Sequence, residues 1–282
     1  MADISAKDVA ALRKATGAGM MDCKKALEAS DGEMEAAKDW LRTKGLAGAS
    51  KRAGRSADNG AVDVLIQGNV AALVELTCET DFVAKGTDFT GFVGDLVGQV
   101  ATEGEDIADR PFVGDSSQTV SEAITQMGSK LGEKIELGRI VRYDSGGVVD
   151  AYKHVQNDRG TIGVLVELVG VDPSNAKAKE LAHDLALHIA SAAPRYLTRD
   201  DVPAEVVERE RAVFEELTRN EGKPEQAVPK IVEGRLGGFY KDVCLVEQGF
   251  IKDPKVPVTS LVKDLGGDAA ISRFVRVKIG ED

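Results

Sequence analysis

"NVAALVEL", residues 69–76, returns as "TIGVLVEL" at residues 161–168. Each is a short apolar run bounded by turn residues, the length of a buried strand. The likeness spreads outward. "GAVDV" at 60–64 recurs as "GVVDA" at 147–151, and "DLVGQVA" at 95–101 recurs as "DLALHIA" at 184–190. The offsets are 87, 92 and 89 residues, in one order, which marks an internal duplication. Each copy reads as two strands and then a helix. "QGN" (67–69) is a tight turn in the first copy, and "QNDRG" (156–160) reads as a longer turn in the second. A hairpin that is apolar on one face needs a cover, and the following helix supplies it. The predicted fold class is therefore α+β. Its core is two related subdomains of antiparallel strands plus helices, at 60–142 and at 143–198 with 246–282. Between the copies, "VSEAITQMGSKLGEKIELGRIVRYD" (120–144) adds a helix and a strand, and "ISRFVRVKIGED" (271–282) closes the chain as another strand.

Residues 5–45 read as three short helices, in an N-terminal module over 1–46. Ser5 caps the first, with Asp8 in a variant of the capping box. Val9 and Leu12 face inward, as do Met20, Cys23 and Leu27 of the second helix. Asp31 caps the third, where Met34, Ala37, Trp40 and Leu41 follow helical spacing, and Gly45 ends it. The small, Gly-rich and basic stretch that follows reads as a linker over 47–59. Residues 199–245 read as an inserted antiparallel helical hairpin. Val206, Val213 and Leu217 form one stripe, "EGKP" (221–224) turns, and Val228, Ile231 and Val232 resume helical spacing. Pro229 kinks or restarts the second helix.

Composition narrows the function. Among 282 residues, 43% are hydrophobic and 5% aromatic, and the net charge is −11. A nucleic-acid surface needs positive charge and stacking rings, so direct nucleic-acid binding is not expected. Residues 1–55 carry a charge of +3 and the remainder −14. This asymmetry suits either a protein partner with complementary patches or a solvated surface. Cys23, Cys78 and Cys244 form no CxxC pair, which fits a reducing compartment. No signal core or membrane-spanning run is present, so the expected location is the cytoplasm.

The first copy's strand exits into "CETDFVAKGTDF", residues 78–89. Here Phe82 stands beside Glu79 and Asp81. A large ring next to carboxylates at a strand exit is either a core plug or a group offered to a partner. Catalytic patterns are missing. There is no GxxxxGK[ST], no GxSxG, and no calcium-loop order among the acids at 79, 81 and 88. His183 and His188 are five apart, the wrong spacing for paired helix ligands. No cofactor, metal site or covalent chemistry is expected.

"TGAGMMDCKKAL" (16–27) and "ETDFVAK" (79–85) resemble the elongation factor Ts family. The resemblance continues through "KLGEKIELGR" (130–139), "AEVVERE" (204–210), "EGKPEQ" (221–226) and "KIVEGRL" (230–236), covering essentially the whole chain. It implies a ubiquitin-associated-like three-helix head, the two-subdomain core and a protruding hairpin. It also implies an activity: guanine nucleotide exchange on elongation factor Tu, with GDP released so that GTP can bind. In the family the Asp and Phe of the "TDFVA" motif wedge between helices of the GTPase beside its magnesium. Carried over, these are Asp81 and Phe82, followed by Val83. The resemblance further implies partner contacts at Lys24, at the turn of Leu131 and Gly132, at His154, and at Phe250 and Ile251. Relatives use the hairpin for self-association or partner binding, so a homodimer or a two-plus-two complex is a possible assembly. Some members carry a further helical module after the last strand, where this chain stops at Asp282. The rival reading is a protein-binding scaffold without exchange activity.

Overall fold

A computed structural model describes residues 4–281. The first three helices are α1 (Ala6–Thr16), α2 (Met20–Ala29) and α3 (Met34–Arg52), around a core of Leu12, Cys23, Ala26, Leu27 and Ala37. The Ser5–Asp8 capping box is present, with Asp8 N–H donating to Ser5 Oγ at 3.2 Å. Three expectations differ. Met20 is 58% exposed, because α2 starts at that residue and its inner face is Cys23, Ala26 and Leu27. Asp31 lies in the turn at φ 49°, and α3 starts three residues later without a side-chain cap. Gly45 does not end α3. A Cβ there would lie 3.2 Å from Ser129 Oγ, so the glycine is where this helix meets the next layer. That packing offsets the roughly 1 kcal/mol a mid-helix glycine costs. The expected linker is thus helical as far as Arg52.

The chain then forms β1 (Asn59–Gln67), β2 (Val70–Cys78), α4 (Asp81–Ala84), α5 (Thr87–Glu103), β3 (Pro111–Phe112), β4 (Asp115–Thr119), α6 (Val120–Leu131) and β5 (Ile135–Asp144). The second copy begins with β6 (Val148–Gln156), β7 (Arg159–Val169) and α7 (Ala176–Ala192). Next come α8 (Ala204–Asn220) and α9 (Val228–Val243). The chain closes with β8 (Gly249–Phe250), β9 (Asp253–Pro257), α10 (Val258–Lys263) and β10 (Ala270–Lys278). The architecture is α+β, with small antiparallel sheets in the orders β1-β2-β5 and β10-β7-β6. The turn after His154 is not longer than its counterpart. Gln67 pairs with Val70 and Gln156 with Arg159, so both loops have two residues. Asn157 and Asp158 take positive φ (52° and 61°), as a primed hairpin turn requires. Opposite His154 and Val155, Thr161 of β7 is the extra residue of a bulge.

The hairpins are also buried on both faces of their central strands, where one covered face was expected. Ala72, Val74 and Leu76 of β2 face α5 and α6. Ala71 and Leu73 face the other sheet, meeting Leu165 and Val277. Val164, Val166 and Leu168 of β7 pack in turn under α7. The layers run helices, sheet, sheet, helices, and this is why both signature runs are continuously apolar. Gly163 permits the close approach: a Cβ there would stand 2.6 Å from Val62 Cγ2 and 2.9 Å from Leu73 Cδ1. Each run carries one buried glutamate on the inter-sheet face. Glu75 pairs with Arg139 at 3.3 Å and Glu167 with Arg273 at 2.7 Å.

Where a helical hairpin was expected, Val207 and Phe214 of α8 pack on Val228, Val232 and Leu236 of α9. The buried stripe is one position on from the expected one, and Val213 and Leu217 are exposed. Pro229 sits in the first turn of α9, where a missing N–H leaves no orphan, so the helix restarts there.

Candidate functional site

The exit of β2 is built from polar contacts. Cys78 is buried, and its Sγ donates to Thr80 O at 3.2 Å. Burial pushes this thiol up to about 12. Asn59 Nδ2 donates to Glu79 O at 3.0 Å. The Glu133 carboxylate accepts from Glu79 N–H (3.0 Å), Thr80 N–H (3.1 Å) and Thr80 Oγ1 (2.5 Å). Glu79 reciprocates: its carboxylate accepts Lys134 N–H at 2.6 Å and the Arg55 guanidinium at 3.1 Å. The Lys134 N–H bond, aided by Arg55, holds the Glu79 carboxyl below the usual glutamate range. Thr80 then caps α4, its Oγ1 accepting Val83 N–H at 3.3 Å.

This one-turn helix displays the ring. Of the eight phenylalanines, all among the described residues, Phe82 alone is exposed, at 75%. Phe89, seven residues on, is 1% exposed and is the core plug of the segment. Lys85 Nζ stands 5.8 Å from the Phe82 centroid and 3.6 Å from Asp81 Oδ2. Both Asp81 and Phe82 therefore face solvent, while Ala84 is buried and Val83 half-buried against the first core. Gly132, at φ 77°, ends α6 beside this turn, and Leu131 is half-buried on the same core. The Glu79–Glu133 exchange joins the two segments. Lys130 pairs with Asp88 at 2.7 Å and lowers that carboxyl.

The other expected contacts lie elsewhere. Lys24 is half exposed, pairs with Glu28 at 3.7 Å, and lines a groove of about 630 Å³ with Val9, Arg13, Met20 and Met21. His154 is exposed on β6, its Nδ1 3.1 Å from Tyr152 Oη. Phe250 is core: it is 6% exposed and lies 5.9 Å, centroid to centroid, from His188. Only Ile251 of that pair reaches the surface, at 45% exposure. Sequence reasoning missed Met20 and Met21 as surface groups and missed Glu133 and Arg55 as supports. Glu133 lies more than fifty residues from the turn it holds, beyond the reach of local spacing. Among the described residues, no group of three or more His, Cys, Asp or Glu is placed to hold a metal. Within the same residues, no helix is long and apolar enough to cross a membrane.

The model of the family described as elongation factor TS matches residues 79–281. Elongation factor Ts of Micrococcus luteus is 46% identical over 284 residues, covering 99% of this chain and 100% of the relative. That of Thermobifida fusca is 46% identical over 286 residues, with both chains covered in full. That of Streptomyces coelicolor is 47% identical over 286 residues, covering 99% of this chain and 100% of the relative.

Proposed function

The chain belongs to the elongation factor Ts family, and from that membership we propose that it is a guanine nucleotide exchange factor. It binds the GDP form of elongation factor Tu in the cytoplasm, promotes GDP release, and leaves when GTP binds. It performs no covalent chemistry. The observation that carries this reading is Phe82, 75% exposed on a one-turn helix whose entry is braced by hydrogen bonds. A lone exposed apolar residue is ordinary. A ring presented on a braced turn beside an exposed carboxylate, with the local core already filled by Phe89, is a group reserved for another molecule.

Exchange is negative coupling between two ligands of one protein. Whatever factor weakens GDP binding also weakens factor binding in the presence of GDP. A thousandfold effect needs about 4 kcal/mol. Burying one Phe supplies roughly 1.5–3 kcal/mol, so Phe82 shares the load with other contacts. Phe82 fills a gap between GTPase helices that is open only in the low-affinity state, and so selects that state. Asp81 competes for hydrogen bonds next to it. Val83, Leu131 and Gly132 complete this contact. Lys24, with the exposed Met20 and Met21, offers the head as a second contact, and His154 on β6 with Ile251 in the β8–β9 turn offers a third.

The units that carry these contacts are a ubiquitin-associated-like head, core subdomains at 60–142 and at 143–198 with 246–282, and the inserted hairpin at 199–245. The two core units descend from one duplicated unit. Release of a fluorescent GDP analogue from elongation factor Tu tests the proposal. Acceleration by substoichiometric amounts of this protein is expected. Binding without acceleration would instead establish the scaffold reading.

A further inference from the structure

The turn that carries Phe82 has little apolar anchorage of its own, since Ala84 is the one buried residue of α4. A four-residue helix does not hold itself, because nucleation is unfavourable and few bonds repay it. Its direction is set at the two residues before it. There the amides of Glu79 and Thr80 both donate to Glu133 Oε2, at 3.0 and 3.1 Å. Glu133 Oε1 takes the Thr80 hydroxyl, which also caps Val83 N–H. The return bond from Lys134 N–H to Glu79 closes the exchange at 2.6 Å. Arg55, just beyond the end of α3, adds a third segment. Two backbone amides fixed by one carboxylate leave the chain a single way out of the sheet.

We propose that Glu133 is a positioning residue for Phe82: its carboxylate fixes the direction in which the ring leaves β2. It thereby makes residues 79–83 and the Leu131–Gly132 turn one preformed surface. The proposal rests on the exchange reading above. Glu133 itself need not touch the partner. A ring displaced by about 1 Å meets its pocket poorly, and displacements of that size cost large factors in rate.

The experiment measures fluorescent GDP release from elongation factor Tu against factor concentration, which separates the maximal rate from the half-saturating concentration. Glu133→Ala is expected to lower the maximal rate about tenfold or more, with a smaller change in half-saturation. Glu133→Gln should restore most of it. Its amide oxygen accepts both N–H groups and its NH₂ donates to the Thr80 hydroxyl. In a Phe82→Ala background, Glu133→Ala should cost much less than it does alone, because a residue acting mainly through the ring is nearly silent once the ring is gone. Losses that multiply in the double variant would overturn the proposal. So would a wild-type rate for Glu133→Ala when Phe82→Ala is slow. Full activity of Phe82→Ala would overturn the exchange reading itself, and this proposal with it. Should Glu133→Ala melt, Thr80→Val removes the hydroxyl shared by Glu133 and Val83. It must then slow release in the same Phe82-dependent manner, and a wild-type rate would count against Glu133.

Discussion

Cys78 lies directly under the turn that launches Phe82, with its thiol pushed up to about 12 by burial. At pH 8 its thiolate fraction is on the order of one in ten thousand, and the thiolate is the reactive form. In the folded protein Cys78 should label with a neutral thiol reagent only as fast as the structure opens; rapid native-state labelling would show the turn to be loose. Glu79 gives a second test. Its folded-state carboxyl is held low by Lys134 N–H, so its contribution is complete above the unfolded value of about 4.3. That contribution is lost as pH falls through the lower folded value. The Lys134 amide resonance should therefore titrate below the ordinary glutamate range, and a midpoint at or above that range would refute the bond. At this scale the sequence placed Asp81 and Phe82 at a strand exit but could not choose between plug and offered group. Phe82 and Phe89 have the same chemistry seven residues apart. What separates them is the brace from Glu133, a long-range contact with no local signature.

The repeated elements share a device that the sequence half reveals. Gln99 and His188 occupy matching places in "DLVGQVA" and "DLALHIA". Gln99 bonds Pro111 O at 2.8 Å and Val113 N–H at 3.1 Å, holding β3–β4. His188 accepts Ile251 N–H at Nδ1 (3.2 Å), so it is neutral and its Nε2–H donates to Gln248 Oε1 (2.9 Å), holding β8–β9. Burial lowers the His188 pKa. The unfolded chain therefore takes up a proton first as pH falls below about 6.5, and stability drops below that point. His188→Gln should keep the small hairpin, change stability by less than about 1 kcal/mol, and flatten this acid dependence. His188→Ala should cost about 1–3 kcal/mol by leaving buried groups unpaired. Equal losses in both, measured by urea denaturation at pH 5.5 and 7.5, would contradict the shared role. The helices were legible because their periodicity spans many residues, and the long central strands because their apolar runs are bounded by turn residues. The hairpins β3–β4 and β8–β9 were not, since two- and five-residue strands give periodicity nothing to register. In α8 the stripe of Val206, Val213 and Leu217 has the right spacing, but only Val206 packs inward and Val213 and Leu217 face outward. A partner helix rather than spacing decides which stripe is buried.

At the centre of the molecule two three-stranded antiparallel sheets stand back to back, with helices outside. The repeated sequence runs were legible, but the contact between the two sheets was not: a strand buried on both faces reads as a plain apolar run whatever covers it. Gly163 is the gauge of that contact. Gly163→Val should cost about 1–3 kcal/mol of stability through overpacking, despite valine's better strand propensity, and so lower the denaturation midpoint; an unchanged midpoint would mean that the sheets do not press together there. On the proposed reading, this scaffold holds one exposed ring at the end of β2. The most direct measurement of that claim is the maximal rate of fluorescent GDP release from elongation factor Tu with wild-type protein and with Phe82→Ala. A lost burial of roughly 1.5–3 kcal/mol predicts a rate about 10- to 100-fold lower, with circular dichroism and melting temperature unchanged. A folded Phe82→Ala protein that releases GDP at the wild-type rate would contradict the account.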